Sequence, residues 1–180
     1  MLAVIGSGFQ AETQLAAIRE VRRINERVWS RNAEHRERFA GRFDAIAAES
    51  AEQAVRGADI VVTITSAREP VLDAGWVGLG CHINAAGSNN PQRRELPPEL
   101  LERAARIAVD SREQARIESG DLLLANVDLD SVRVVELQEV AAGRVPGRTS
   151  GDEITVFESN GLGVQDVAAA AFVYEKAIAG

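Results

Sequence analysis

Gly6, Gly8 and Ala11 stand at G-x-G-x-x-A spacing in the segment Val4-Ile5-Gly6-Ser7-Gly8-Phe9-Gln10-Ala11, directly after the apolar run Leu2-Ala3-Val4-Ile5. The chemistry this spacing supports is anion binding by the main chain. The first glycine permits a tight turn, the second lets a pyrophosphate approach the backbone, and the small third residue brings the following helix close to a sheet. A helix that begins there offers free N–H groups and a partial positive charge to phosphates. The motif gains its weight from context: an apolar strand precedes it, and Ala11, Leu15, Ile18 and Val21 then recur at helical spacing.

A second position bears on the same ligand. Roughly 20 residues beyond such a turn, an acidic side chain holds the adenosine ribose hydroxyls of NAD. That place is occupied here by Ser30-Arg31-Asn32. A carboxylate would repel a 2′-phosphate, whereas Ser30 and Arg31 donate hydrogen bonds, and a guanidinium matches phosphate geometry. NADP(H) is therefore favoured, with NAD(H) as the alternative. The competing reading makes Arg31 a solvated residue at a strand end.

Other reactive side chains are few. Cys81 is the single cysteine and has no neighbouring base to activate it, so a passive thiol is expected. The two histidines, His35 and His82, form no cluster with cysteine, and no metal site is expected. His82 reads as a hydrogen-bonded structural histidine, and His35 as a solvated residue on a charged helix.

The elements that must carry these residues alternate. Strands are predicted over 2–5, 27–29, 45–48, 59–65, 82–86, 106–109 and 154–157, and helices over 11–24, 33–43, 51–56, 98–105 and 164–178. The β-branched run Asp59-Ile60-Val61-Val62-Thr63-Ile64-Thr65 is the strongest central strand, since it is apolar on both faces. Alternation of this kind implies a doubly wound, mostly parallel sheet in three α/β/α layers, the Rossmann arrangement. Residues 120–152, with Gly143, Pro146, Gly147 and Gly151, read as irregular chain.

Composition narrows the rest. The 180 residues suit one domain, and a net charge of −7 gives no basic surface for nucleic acid. No apolar run approaches the roughly 20 residues that span a bilayer, and no signal-peptide pattern opens the chain, so a cytoplasmic protein is expected.

From about residue 6 to about residue 177 the sequence resembles the ornithine cyclodeaminase and mu-crystallin family. The resemblance rests on an ordered set: the glycine turn; Thr63-Ile64-Thr65; His82-Ile83-Asn84-Ala85-Ala86-Gly87-Ser88-Asn89 with Arg94-Glu95-Leu96; Asp110; Glu118-Ser119-Gly120; Val156-Phe157-Glu158-Ser159-Asn160-Gly161; and Gln165-Asp166. It implies that this chain is the single nucleotide-binding domain of a two-domain homodimeric enzyme, whose preceding substrate and dimerisation domain is absent. It places Phe9 and Gln10 beside the pyrophosphate, and Ser30, Arg31 and Asn32 beside the adenosine ribose. Thr65 and Asn84-Ala85-Ala86-Gly87 then border the nicotinamide, and Ser159 and Asn160 close over nicotinamide and substrate. Arg93 becomes a candidate for a substrate carboxylate or cofactor phosphate, and Asp166 adds a place near the nicotinamide to its reading as a helix cap.

Asn89 stands where ornithine cyclodeaminases of that family carry a catalytic aspartate. A carboxamide cannot serve as a carboxylate base. The expected activity is thus reduction of a small imino acid, or dehydrogenation of an amino acid, rather than ring closure of ornithine to proline with loss of ammonia. The alternatives are a true ornithine cyclodeaminase and a non-catalytic protein that binds NADPH and small ligands.

Overall fold

The computed structural model describes residues 1–179. Eight strands, β1 (Leu2–Ile5), β2 (Glu26–Trp29), β3 (Ile46–Ala47), β4 (Ile60–Thr63), β5 (His82–Ala85), β6 (Ala104–Val109), β7 (Val134–Glu136) and β8 (Ile154–Glu158), form one sheet. Their order is β3-β2-β1-β4-β5-β8-β6-β7, and every pairing is parallel. The order reverses at β1 and β4, which makes the crevice above them the switch point where open α/β sheets bind ligands. The last strand in sequence, β8, inserts between β5 and β6, so the chain's end returns to the middle of the sheet.

Side-chain alternation along β1 divides the core between two faces. Leu2 and Val4 pack with Val28 and Val62 beneath α1 (Phe9–Val21) and α2 (Ala33–Phe43), whose buried residues are Ala11, Leu15, Ile18, Phe39 and Ala40. Ala3 and Ile5 point the other way and join Val61, Ile83 and Ile107. That second face is covered by α3 (Ala51–Val55), α4 (Pro98–Arg103), α5 (Arg112–Glu118) and α6 (Gly120–Leu124), through Ala54, Leu100, Leu101, Ala115 and Leu122. Period-two strands between helices covering both faces account for the three layers.

Local chemistry sets the helix starts. The Asn32 carboxamide oxygen accepts the His35 N–H at 2.9 Å to open α2, Ser50 accepts the Gln53 N–H at 3.0 Å to open α3, and Ser111 accepts the Gln114 N–H at 3.3 Å to open α5. Pro98 lies in the first turn of α4, where no intrahelical N–H is required.

Residues 120–152 depart from the expectation of irregular chain. They hold α6, β7 and α7 (Leu137–Ala141). These elements run only three to five residues each, too short for a hydrophobic period to declare itself. The closing helix α8 (Gly163–Ala179) forms where expected but buries none of its residues, and Val164, Val167, Phe172, Val173, Tyr174 and Ile178 stay exposed. No helix among the described residues is long and apolar enough to cross a membrane.

Candidate functional site

The strand registers align Trp29, Ile5, Thr63, Ala85 and Glu158 across the carboxyl edge of the sheet. One residue beyond that row stand Ser30, Gly6, Ile64, Ala86 and Ser159, and all five line an open cleft of about 1860 Å³. The volume exceeds the roughly 300–1,000 Å³ of a typical small-ligand pocket, and it extends from the end of β2 to the end of β8.

Gly6 has φ +124°, and a Cβ there would collide with the Ile64 carbonyl oxygen, so both backbone conformation and packing demand glycine. Gly8 differs. It is the N-cap of the 13-residue α1, provides no side-chain cap, and a Cβ on it would meet nothing within 4 Å. The fold itself does not require a glycine at that position; bare main chain there leaves room for a ligand to reach the first turn of α1. The uncapped N-terminus and this open cradle fit a pyrophosphate. Ala11 lies underneath, fully buried, and serves the close packing of α1 on the sheet rather than ligand contact.

At the end of β2 the Ser7 hydroxyl donates to the Ser30 hydroxyl at 2.8 Å, and Ser30 donates to the Asn32 carbonyl at 3.1 Å. Arg36 donates to the Ser30 carbonyl at 3.1 Å. This bracing ties the glycine turn to the segment beside it. Arg31 is exposed on the cleft wall and, among the described residues, makes no ion pair. Asn32 also lines the cleft, with its carboxamide oxygen committed to capping α2.

On the other side, Thr65, Ala86, Gly87, Asn89, Ser159 and Asn160 line the same cleft. Asp110 organises the loop after β8: its carboxylate accepts from the Ser159 hydroxyl at 3.1 Å, the Gly161 N–H at 2.8 Å and the Gln165 carboxamide at 3.3 Å. The Asn160 carboxamide donates to the Ser88 carbonyl at 3.0 Å and joins this loop to the one after β5. Asp166 also reaches the lining.

Three expected residues lie elsewhere. Asn84 and Ala85 sit within β5, below the cleft: Ala85 is buried, and the Asn84 oxygen pairs with His82 Nε2 at 3.0 Å. Arg93 is half-buried in the loop after β5 and does not reach the lining, because the chain has turned toward α6; a Cβ on Gly120 would strike the Arg93 carbonyl. His82 Nδ1 pairs with the Thr155 hydroxyl at 2.7 Å, and burial pushes the imidazole pKa down, so both ring nitrogens are engaged within the sheet. Burial pushes the Cys81 thiol up to about 11, which disfavours thiolate.

Behind the cleft floor lies a group of acids with no role apparent from sequence. Glu95, Asp121 and Glu158 are fully buried. Asp121 Oδ1 accepts the Glu95 and Leu96 N–H groups, each at 2.7 Å, and Glu158 Oε1 accepts the Ser119 hydroxyl at 2.7 Å. Asp121 Oδ2 and Glu158 Oε2 have no partner. Burial pushes Asp121 up to about 7 and Glu158 well above the carboxylate range, reinforced by mutual repulsion. The signal available in sequence was acidic residues beside apolar runs, Glu95 next to Leu96 and Glu158 ending Ile154–Glu158. Among the described residues no three His, Cys, Asp or Glu side chains are grouped to hold a metal ion.

A parallel sheet reversing at β1 and β4, a glycine turn opening α1 there, and a long cleft along the carboxyl edge define an α/β domain of the Rossmann class. The profile of the ornithine cyclodeaminase/mu-crystallin family matches residues 1–180, and the chain belongs to that family. It is 40% identical over 178 residues to the ketimine reductase mu-crystallin of Mus musculus, covering 97% of this chain and 55% of that protein. Against the alanine dehydrogenase of Archaeoglobus fulgidus the identity is 40% over 186 residues, covering 97% and 56%. Among solved structures, the Δ1-pyrroline-2-carboxylate reductase of Thermococcus litoralis, in complex with NADH and L-proline, superposes with a TM-score of 0.90 at 37% identity over 98% of this chain and 58% of that one. The chain spans about half the length of the curated relatives it matches.

Proposed function

We propose that residues 1–180 form the single nicotinamide-nucleotide-binding domain of an oxidoreductase acting on a small imino or amino acid, with NADP(H) the favoured cofactor. The observation that carries this reading is the open cradle at Gly8 on the uncapped N-terminus of α1, at the switch point of the sheet. Relatives described as a ketimine reductase, an alanine dehydrogenase and a pyrroline-carboxylate reductase holding NADH and L-proline support the reaction class.

In this reading the first turn of α1 binds the pyrophosphate, and Ser30 and Arg31 bind the adenosine ribose and its 2′-phosphate. The absence of a carboxylate in Ser30-Arg31-Asn32 favours the phosphorylated cofactor. Bound in the cleft, a nicotinamide supplies or accepts the hydride. Thr65, Ala86 and Gly87 flank its side of the cleft, and Ser159 and Asn160, held by Asp110 and the Ser88 carbonyl, orient what lies against it. Asn89 lines the cleft and donates or accepts hydrogen bonds without changing charge, which suits positioning of a preformed imine and not the repeated proton transfers of cyclodeamination. The whole protein, with the preceding domain that would read the substrate, works as a homodimer.

The test is turnover by a whole protein that contains this domain, with NADPH and NADH against Δ1-pyrroline-2-carboxylate, and in the reverse direction with L-proline and L-alanine. Consumption of NADPH that depends on the imino acid supports the reading. Cofactor binding with no turnover on any of these substrates supports the non-catalytic alternative instead.

A further inference from the structure

Glu95 is fully buried and never reaches the cleft, yet it holds both walls of one end of it. One carboxylate oxygen accepts the Thr65 N–H at 2.6 Å, from the loop after β4; the other accepts the Gly87 N–H at 2.8 Å, from the loop after β5. Its main chain extends the knot: the Glu95 carbonyl accepts the Val71 N–H at 2.8 Å, closing the far end of the loop after β4. The Glu95 N–H donates in turn to Asp121 at the start of α6. Gly87 is matched to this role. A Cβ on it would come within 2.5 Å of the Glu95 carboxyl atoms, so glycine lets the carboxylate sit against the backbone.

We propose that Glu95 is a positioning residue for the nicotinamide end of the cleft, fixing the separation of Thr65 and Gly87 by binding both N–H groups on one carboxylate. The inference rests on the nucleotide-binding function proposed above. The physical argument is geometric. The two loops leave adjacent strands and meet in two main-chain hydrogen bonds, Ala86 N–H to the Thr63 carbonyl at 2.9 Å at the strand ends and Val71 N–H to the Glu95 carbonyl at 2.8 Å at the far end, with none at Thr65 or Gly87 between them. A rigid bidentate acceptor between them replaces that missing pairing. Burial pushes the Glu95 pKa up and the Thr65 and Gly87 N–H groups oppose that push, since hydrogen bonds to an ionised carboxylate are about twice as strong as neutral ones. Glu95 itself hydrogen-bonds neither the glycine turn nor the Ser30-Arg31-Asn32 segment, and the peptide it holds meets the turn only through the Ile64 carbonyl packed against Gly6, so no hydrogen bond of Glu95 reaches the adenosine end of the cleft.

That separation supplies the experiment. NADPH and 2′-phospho-ADP-ribose, which lacks the nicotinamide, are titrated calorimetrically into the chain and into Glu95→Gln. The carboxamide NH2 then faces one of the two N–H donors and cannot accept from it. The wild-type chain is expected to bind NADPH more tightly than the fragment. In Glu95→Gln the fragment Kd stays within twofold, while the NADPH Kd weakens at least tenfold toward that of the fragment. Equal weakening of both ligands, or no change in either, overturns the inference. Wild-type chain that binds both ligands equally also overturns it, but leaves the nucleotide reading standing; wild-type chain that binds neither overturns both. Should Glu95→Gln fail to fold, amide hydrogen exchange of the wild-type chain decides. NADPH, and not the fragment, is expected to slow exchange at Thr65 and Gly87 together; protection by both ligands alike, or at neither amide, contradicts the proposal.

Discussion

Replacing Asp121 by asparagine isolates what it costs to keep three carboxyls in the core. In the folded chain Asp121 is fully buried, and its carboxyl is pushed up to about 7, chiefly by burial and also by the charge of Glu95. In the unfolded chain it titrates near its ordinary value of 3.8. Between those two values the folded state holds a proton that the unfolded state has released. The contribution of Asp121 to stability is therefore greatest below about pH 4, falls as pH rises, and levels off above about 7. Moving one carboxyl over that interval corresponds to roughly 4 kcal/mol, with a slope near 1.4 kcal/mol per pH unit in the middle. Asp121→Asn keeps the oxygen that accepts from Glu95 and Leu96 and removes the titration. Urea denaturation of both proteins from pH 4 to pH 8 reads the effect directly. The wild-type stability, measured relative to Asp121→Asn at each pH, is expected to drop by several kcal/mol across the series. Parallel stability curves for the two proteins would refute the reasoning, because they would mean that Asp121 folds in its charged form.

The glycine turn gives a paired prediction. Gly8→Ala lowers unfolding free energy by only about 0.5–1 kcal/mol, the difference between glycine and alanine at an N-cap, since its Cβ enters open space, yet weakens NADPH binding at least tenfold in titration. Gly6→Ala, at φ +124° and against the Ile64 carbonyl, destabilises the fold by about 2 kcal/mol or more in the same urea assay. Cys81, buried with its thiol pushed up to about 11, reacts with a thiol reagent at pH 8 no faster than the chain unfolds; rapid labelling of native protein would contradict that. Truncation after Leu162 removes α8 without removing a buried side chain, and the melting temperature is expected to stay within about 2 °C of the intact chain.

The parts legible in sequence are those whose physics is local. The turn at Gly6 and Gly8, the β-branched strand Ile60–Thr63 and the capped helix Ala33–Phe43 each declare themselves within a dozen residues. Cleft residues immediately beyond strand ends, Ser30, Ala86 and Ser159, followed from locating those strands. The insertion of β8 between β5 and β6 did not, because parallel order is decided by helices packing across the sheet and leaves no mark on any one strand. Asn84 and Arg93, which the resemblance puts at the cleft, are held instead by His82 within β5 and by the packing of the Arg93 carbonyl on Gly120, contacts that no local pattern reveals. Glu95, Asp121 and Glu158 are separated by 26 and 37 residues in sequence, and only the fold brings them together behind the site.

The most direct test of the central claim is calorimetric titration of this chain with NADPH and NADH, repeated on Arg31→Ala. The expected result is saturable binding of one nucleotide per chain, tighter for NADPH, with the preference lost in the variant through a tenfold or greater weakening of NADPH alone, the scale of a charge-assisted hydrogen bond to phosphate. No binding of either nucleotide by the folded chain would contradict the assignment of the cleft as a nicotinamide-nucleotide site.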